Sequence, residues 1–228
     1  MIINCEGVHY ISYGCIQINQ ELGKGAFGTV YKGTWKNKAV ALKTIDIANV
    51  KKNFSHLKQS DVIQAIEWEV ARISSVVHPG VVQFYGNYQS NELCPLYIVM
   101  EFCAKGTLQR ELSKNDHPWD IKIQWAIEMS LGLKYLHEKG IIHRDLKAEN
   151  VLITQSNSAK LADLGVAQVD PLLSSVKAEV VESGLQDQRF IAPEIFLERK
   201  NISTLKTDIY ALGLVFLQIV QRDVPPFP

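Results

Sequence analysis

Residues 143–150 read His-Arg-Asp-Leu-Lys-Ala-Glu-Asn, and Asp163-Leu164-Gly165 begins thirteen positions after Asn150. An acid, a cation and an amide fall on one short turn, and a second acid sits on another. Asp145 in such a group can accept a proton and Lys147 can touch a phosphate. Asn150 and Asp163 offer the hard oxygen atoms that a divalent cation such as Mg²⁺ prefers. Used at one point, these groups perform phosphoryl transfer, which asks for positioning and charge neutralisation more than for covalent chemistry. The plain alternative is a charged surface loop with a chance match.

The rest of the chain supplies a setting for that turn. From Cys15 to Ile47 apolar and β-branched residues alternate with period two. This predicts an antiparallel meander with strands at Ile16–Ile18, Thr29–Lys32 and Ala39–Ile45. Between the first two strands lies Gly23-Lys24-Gly25-Ala26-Phe27-Gly28. A dinucleotide site would need a helix directly after the third glycine. Here Thr29–Lys32 continues as strand, which favours a hairpin lid over nucleotide phosphates, with Val30 and Ala41 against the adenine; an ordinary hairpin turn is the competing reading. Val62, Ile66, Val70, Ile73 and Val77 recur at helical intervals, with Ser60 or Asp61 as cap and His78-Pro79-Gly80 as the stop. Two more strands are predicted near Val81–Tyr85 and Leu96–Glu101. A second helix starts at Pro118, carries the stripe Ile121, Trp125, Met129, Leu133 and Leu136, and ends at Gly140. Brief strands are expected between Ile141 and Leu161, an irregular segment over 168–189, and an apolar helix after Asp208.

Composition narrows the class. At 46% hydrophobic and 21% charged, 228 residues can build a sizeable core. Lys plus Arg and Asp plus Glu number 24 each, so no excess charge points to nucleic acid or an anionic membrane as partner. The four cysteines (Cys5, Cys15, Cys94, Cys103) and six histidines show neither Cys-x-x-Cys nor His-x-x-x-His spacing. That argues against disulfide or zinc chemistry and for a reducing compartment. Residues 1–14 lack a basic start, and the apolar run Ile209–Val220 is too short to span a bilayer. The expectation is a soluble, cytoplasmic protein without a membrane span.

Taken in order, the glycine loop, Lys43 in Val40-Ala-Leu-Lys43, the helix acid, the octet, Asp163 and Ala192-Pro193-Glu194 resemble the eukaryotic protein kinases. The runs Tyr31-Lys-Gly-Thr-Trp35 and Arg189-Phe-Ile-Ala-Pro-Glu194 look like the tyrosine-kinase-like branch of serine/threonine kinases. The resemblance covers Ile16 to about Phe227. It implies an α+β bilobal fold: a five-stranded antiparallel N-lobe with one helix (16–101), a hinge (101–106) and a mainly helical C-lobe (107–228), after an N-terminal extension of 1–15. It further implies ATP and Mg²⁺ as cofactors and protein serine or threonine hydroxyls as acceptors in intracellular signalling. Asp145, Lys147, Lys43 and Glu69 would be catalytic. Gly23, Lys24, Gly25, Gly28, Val30, Ala41, Lys43, Met100, Glu101, Cys103 and Leu152 would hold ATP, with Met100 as gatekeeper. Asn150 and Asp163 would hold the metal. A strand lysine is ordinarily a snorkelling surface residue, so Lys43 needs an acid. Glu69 lies at the kinase offset before His78, whereas Glu67 would face about 200° away.

Several positions depart from the family pattern. Leu164 stands where Phe is usual, and Ala148 where Pro is common. Asp187 replaces a Thr that bonds the catalytic Asp and Lys; near Asp145 it would oppose that charge by roughly 4 kcal/mol at 4 Å, whereas facing water it would do nothing. Family members continue with further helices and an Arg for the residue matching Glu194, so the resemblance implies a C-lobe lacking its last helices, reduced stability, and exposure of Leu212, Phe216 and Ile219. Ser183, then Ser174 and Ser175, are candidate acceptors for an upstream kinase or for the chain itself. Two alternatives stay open: a catalytically impaired kinase-like binding module, and a tyrosine or dual-specificity kinase.

Overall fold

Alternation in the first hundred residues produces a five-stranded antiparallel sheet in the computed structural model. The structure describes residues 11, 15–25, 28–45, 73–88, 96–164, 188–197 and 204–222. Strands β1 (Ile16–Gly25), β2 (Gly28–Trp35), β3 (Lys38–Ile45), β4 (Phe84–Tyr88) and β5 (Leu96–Glu101) lie in the order β1-β2-β3-β5-β4. One face buries Ile16, Val40, Leu42, Tyr88 and Val99, with Tyr31, Trp35 and Tyr97 packed around them. Lys36 and Asn37, both left-handed, turn β2 into β3. Ile11, upstream of the first strand, donates its N–H to Asn87 O at 2.8 Å on β4 and packs on this core.

The fourth strand differs from its expected span. Val81 and Val82 are apolar and β-branched, yet they leave the sheet and pair with the segment at Leu161. Val81 bridges Leu161 in parallel, Val82 N–H donates to Leu161 O at 2.8 Å, and Leu161 N–H to Gly80 O at 2.8 Å. The strand therefore begins at Phe84. Of the helix expected over 60–77, Ile73 and Ser74 are helical, and residues 46–72 lie outside the described part. Because the helix stops there, Val76 is buried and Val77 is exposed, the reverse of the extrapolated stripe.

The chain divides into two compact units at Phe102/Cys103, with His78–Val82 belonging to the second. That unit contains β6 (Gly106–Thr107), α1 (Leu108–Lys114), α2 (Trp119–Glu138), β7 (Val151–Ile153), β8 (Ala159–Leu161), α3 (Pro193–Leu197) and α4 (Leu205–Gln221). Trp125, Met129, Leu133 and Leu136 bury one side of α2, as their spacing requires. Pro118 is its N-cap, and Trp125 Nε1 donates to Asn157 O at 2.7 Å. Gly80 and Gly132 let α2 sit directly on the 78–82 segment: a Cβ on Gly132 would lie 2.5 Å from Gly80 O.

Helix α4 begins at Leu205, earlier than its apolar run suggests, because Thr204 and Thr207 close a reciprocal capping box. The expected exposure of Leu212, Phe216 and Ile219 is corrected: Leu212 and Ile219 are buried and Phe216 is half-buried. They turn toward the unit's own core, and the exposed apolar side chains of α4 lie elsewhere on the helix.

Candidate functional site

In the first unit, pairing places side chains on faces. Val40 and Leu42 point into the aromatic core, so Ala41 and Lys43 point to the opposite face. Direct partners share a face: Val30 with Lys43, Ala41 with Met100, Lys43 with Ile98. Val30, Ala41, Lys43 and Met100, four of the sequence candidates, therefore stand together. Glu101 is committed at its N–H, which donates to Gln83 O at 2.8 Å, and its Oε2 accepts from Gln83 N–H at 3.2 Å.

The glycine loop is the β1–β2 hairpin. Gly23 pairs with Val30, Lys24 with Thr29 and Gly25 with Gly28; residues 26–27 lie outside the described part. Gly28 has φ +142, and a Cβ there would meet Thr44 O at 2.1 Å. Only glycine fits that contact. Thr44 Oγ1 accepts from Thr29 N–H (2.8 Å) and donates to Thr29 O (3.1 Å), tying the loop's second arm to β3. Nothing lies within 4 Å of a Cβ on Gly23, which leaves the first arm open.

In the second unit, the octet closes on itself. Asn150 Nδ2 donates to Asp145 O at 2.7 Å and to Asp145 Oδ2 at 2.8 Å. Lys147 Nζ lies 3.2 Å from Asp145 Oδ1. The Asp145 carboxylate is thus held from both sides, and since the Asn150 amide nitrogen is turned to Asp145, Oδ1 is the atom of that side chain that could face a cation. Asn150 O accepts from Ala162 N–H at 2.9 Å, fastening the turn to the residue before Asp163. Arg144 and Asp163 both take left-handed backbone (φ 69 and 58), a conformation that costs a non-glycine residue free energy and recurs at functional sites. Asp163 is exposed and Leu164 buried. Val151 and Ile153 are buried, so Leu152 between them points to the other face of the small sheet. Cys103 is buried, and its carbonyl accepts from Gly106 N–H at 3.2 Å.

One supporting residue escaped the sequence reading. The Asp208 carboxylate, 1% exposed, accepts the backbone N–H of His143 (2.7 Å) and of Arg144 (2.8 Å) and lies 2.8 Å from His137 Nε2. It holds the octet by its backbone from α4, 65 positions beyond His143. The available signal was a carboxylate directly before the apolar run Ile209–Val220, which read simply as a helix start. His143 is fully buried; burial holds its pKa below the ordinary imidazole value, against the pull of Asp208, Asp145 and Asp163 and a hydrogen bond with the Ala162 backbone. It is a neutral, structural residue. Glu69, Asp187, Ser174, Ser175 and Ser183 lie outside the described residues.

The donor set suits Mg²⁺. Among the described residues no three His, Cys, Asp or Glu side chains cluster as a metal cage. Mg²⁺ needs none, since it keeps part of its water shell and binds through one or two protein oxygens plus phosphates. The family model of the protein kinase domain matches residues 16–228. The chain belongs to the protein kinase domain family. Its fold is the protein kinase fold, with the five-stranded antiparallel sheet in the N-lobe and helical segments in the C-lobe.

Curated relatives agree. A putative serine/threonine-protein kinase/receptor of Acanthamoeba polyphaga mimivirus is 32% identical over 226 residues, 95% of this chain and 13% of the relative. Cell division control protein 7 of Schizosaccharomyces pombe is 32% identical over 221 residues, 96% of this chain and 19% of that protein. A serine/threonine/tyrosine-protein kinase of Arabidopsis thaliana is 30% identical over 213 residues, 91% of this chain and 51% of that protein. This kinase domain thus spans 13% to 19% of the length of the first two. Among the described residues, no helix is long and apolar enough to cross a membrane.

Proposed function

We propose that this kinase domain transfers the γ-phosphate of Mg-ATP to serine or threonine hydroxyls of protein substrates, in cytoplasmic signalling. The observation that carries this reading is the Asp145 carboxylate, held by Lys147 at 3.2 Å and Asn150 at 2.8 Å. In these roles Asp145 orients the acceptor hydroxyl and takes its proton. Lys147 neutralises charge on the phosphoryl group in flight. Gly23, Lys24, Gly25 and Gly28 approach the phosphates with backbone. Lys43, steadied by Glu69, pairs them by charge. Val30, Ala41, Met100 and Leu152 contact the adenine, whose polar edge meets the backbone from Glu101 to Cys103. Asn150 Oδ1 and Asp163 would hold Mg²⁺, which supplies charge neutralisation at the triphosphate.

Lys147 in the octet and the flanks Tyr31–Trp35 and Arg189–Glu194 support serine/threonine acceptors and the tyrosine-kinase-like branch. Ser183, Ser174 and Ser175 are the proposed sites of control, by an upstream kinase or by the chain itself. The test is Mg²⁺-dependent transfer of labelled phosphate to a generic basic protein, followed by phosphoamino-acid analysis. Label on serine and threonine, lost in Lys43→Met and Asp145→Asn, is expected. Equal signal from wild type and both variants overturns the enzyme and leaves a binding module; label on tyrosine alone overturns the acceptor class.

A further inference from the structure

Strand pairing puts a second lysine on the face proposed for the adenine. Tyr31 packs on the aromatic core, so its neighbours Val30 and Lys32 point to the opposite face, where their direct partners are Lys43 and Ala41. Ala41 is paired in turn with Met100. Lys32, Ala41 and Met100 therefore form one row across β2, β3 and β5. A strand lysine ordinarily carries its charge out to water. Lys32 does otherwise: its Nζ lies over the ring of Phe102, 4.8 Å from the ring centre.

Phe102 stands two positions after Met100, in the run from Glu101 to Cys103 whose backbone is proposed to meet the polar edge of the base. The start of that run is already fastened. Glu101 N–H donates to Gln83 O at 2.8 Å, and Gln83 N–H donates to Glu101 Oε2 at 3.2 Å. Neither bond orients the side chain of Phe102, which is half-buried. The cation of β2 does so, because the face of an aromatic ring, not its edge, attracts an ammonium. Lys32, Ala41, Met100 and Phe102 all belong to the first unit.

We propose that Lys32 is a positioning residue for the nucleotide, holding the Phe102 ring as a wall against which the adenine seats. This rests on the assignment of ATP to the face of Val30, Ala41 and Met100. An aromatic ring offers the flat apolar surface on which bases pack, and Phe102 brings one to the very run that meets the polar edge of the base. A wall already fixed binds more tightly than one ordered by the ligand. Lys32 thus acts through Phe102 and not on the phosphates. The plain alternative is a pair that stabilises the sheet and nothing else.

Titration calorimetry with Mg-ATP separates these roles, with thermal melts to confirm that each variant is folded. Lys32→Met should weaken Mg-ATP roughly two- to fivefold, the range of a half-exposed cation–ring pair, and Lys32→Gln should repeat the loss. Lys32→Arg, which keeps a cation over the ring, should restore wild-type affinity. Phe102→Leu should weaken binding at least as much, and adding Lys32→Met to it should change nothing further. Lys36→Met is the control: Lys36 lies 4.7 Å over the Trp35 ring at the far end of the same strand, and its loss should leave affinity as it was. Wild-type affinity in both Lys32→Met and Lys32→Gln overturns the proposal and leaves the nucleotide site standing. A Lys32→Met loss that persists in full beside Phe102→Leu also overturns it, since the charge would then act on the phosphates directly. A wild type that binds no Mg-ATP removes the kinase reading itself, and this role with it.

Discussion

Removing a carboxylate from water costs several kcal/mol unless its charge is met, and Asp208 meets that cost with two backbone N–H groups and His137. Asp208→Asn keeps the shape but turns an acceptor into a donor facing an N–H. It should cost about 3 kcal/mol in urea denaturation and lower phosphate transfer with it; an unchanged midpoint would show that the octet is anchored elsewhere. His143 carries a pH signature. Its imidazole takes a proton near 6.5 when unfolded and only at lower pH when folded, because burial disfavours the charge. Below pH 6.5 the unfolded chain therefore binds more protons, so the stability tied to His143 is complete above that pH and lost as pH falls through the folded value. The wild type should lose more melting temperature between about pH 7.5 and pH 5 than His143→Phe does; equal losses would remove His143 as the source. Asp145, Lys147 and Asn150 were legible as a group because they are close in sequence. Asp208 was not, since a backbone clamp leaves no spacing rule to read.

At the scale of elements, periodicity worked where each side chain's surroundings followed from its own strand or helix. The strands β1, β2, β3 and β5 and the buried side of α2 are of this kind. It failed where a distant segment took over. Val81 and Val82 have strand chemistry but pair with Leu161, so β4 starts at Phe84. Glycine shows the same divide. Gly28 was read as a phosphate-loop residue, and the structure adds that its missing Cβ makes room for Thr44 O. Gly132 sits inside a helix, where alanine ordinarily gains about 1 kcal/mol. Here a Cβ would lie 2.5 Å from Gly80 O, with backbone on both sides. Overpacking of that sort costs about 1–3 kcal/mol, so Gly132→Ala should lower stability despite better helix propensity. A higher melting temperature would mean that α2 and the 78–82 segment can part freely.

At the scale of the molecule, the order of the motifs pointed to the family whose model matches residues 16–228. What composition could not convey is where apolar surface remains: α4 buries Leu212 and Ile219 and shows Ile209 and Val220 instead. The proposed function requires both Lys43 and Asp163 for the binding of Mg-ATP. A ligand that binds only the folded chain stabilises it by about 2.7 kcal/mol at one hundred times its dissociation constant. Calorimetric melts with and without Mg-ATP measure this directly. A raised melting temperature in the wild type is expected, abolished by Lys43→Met and equally by Asp163→Ala while both ligand-free melts stay in place. A shift that survives both substitutions, or none in the wild type, would overturn Mg-ATP binding by these residues.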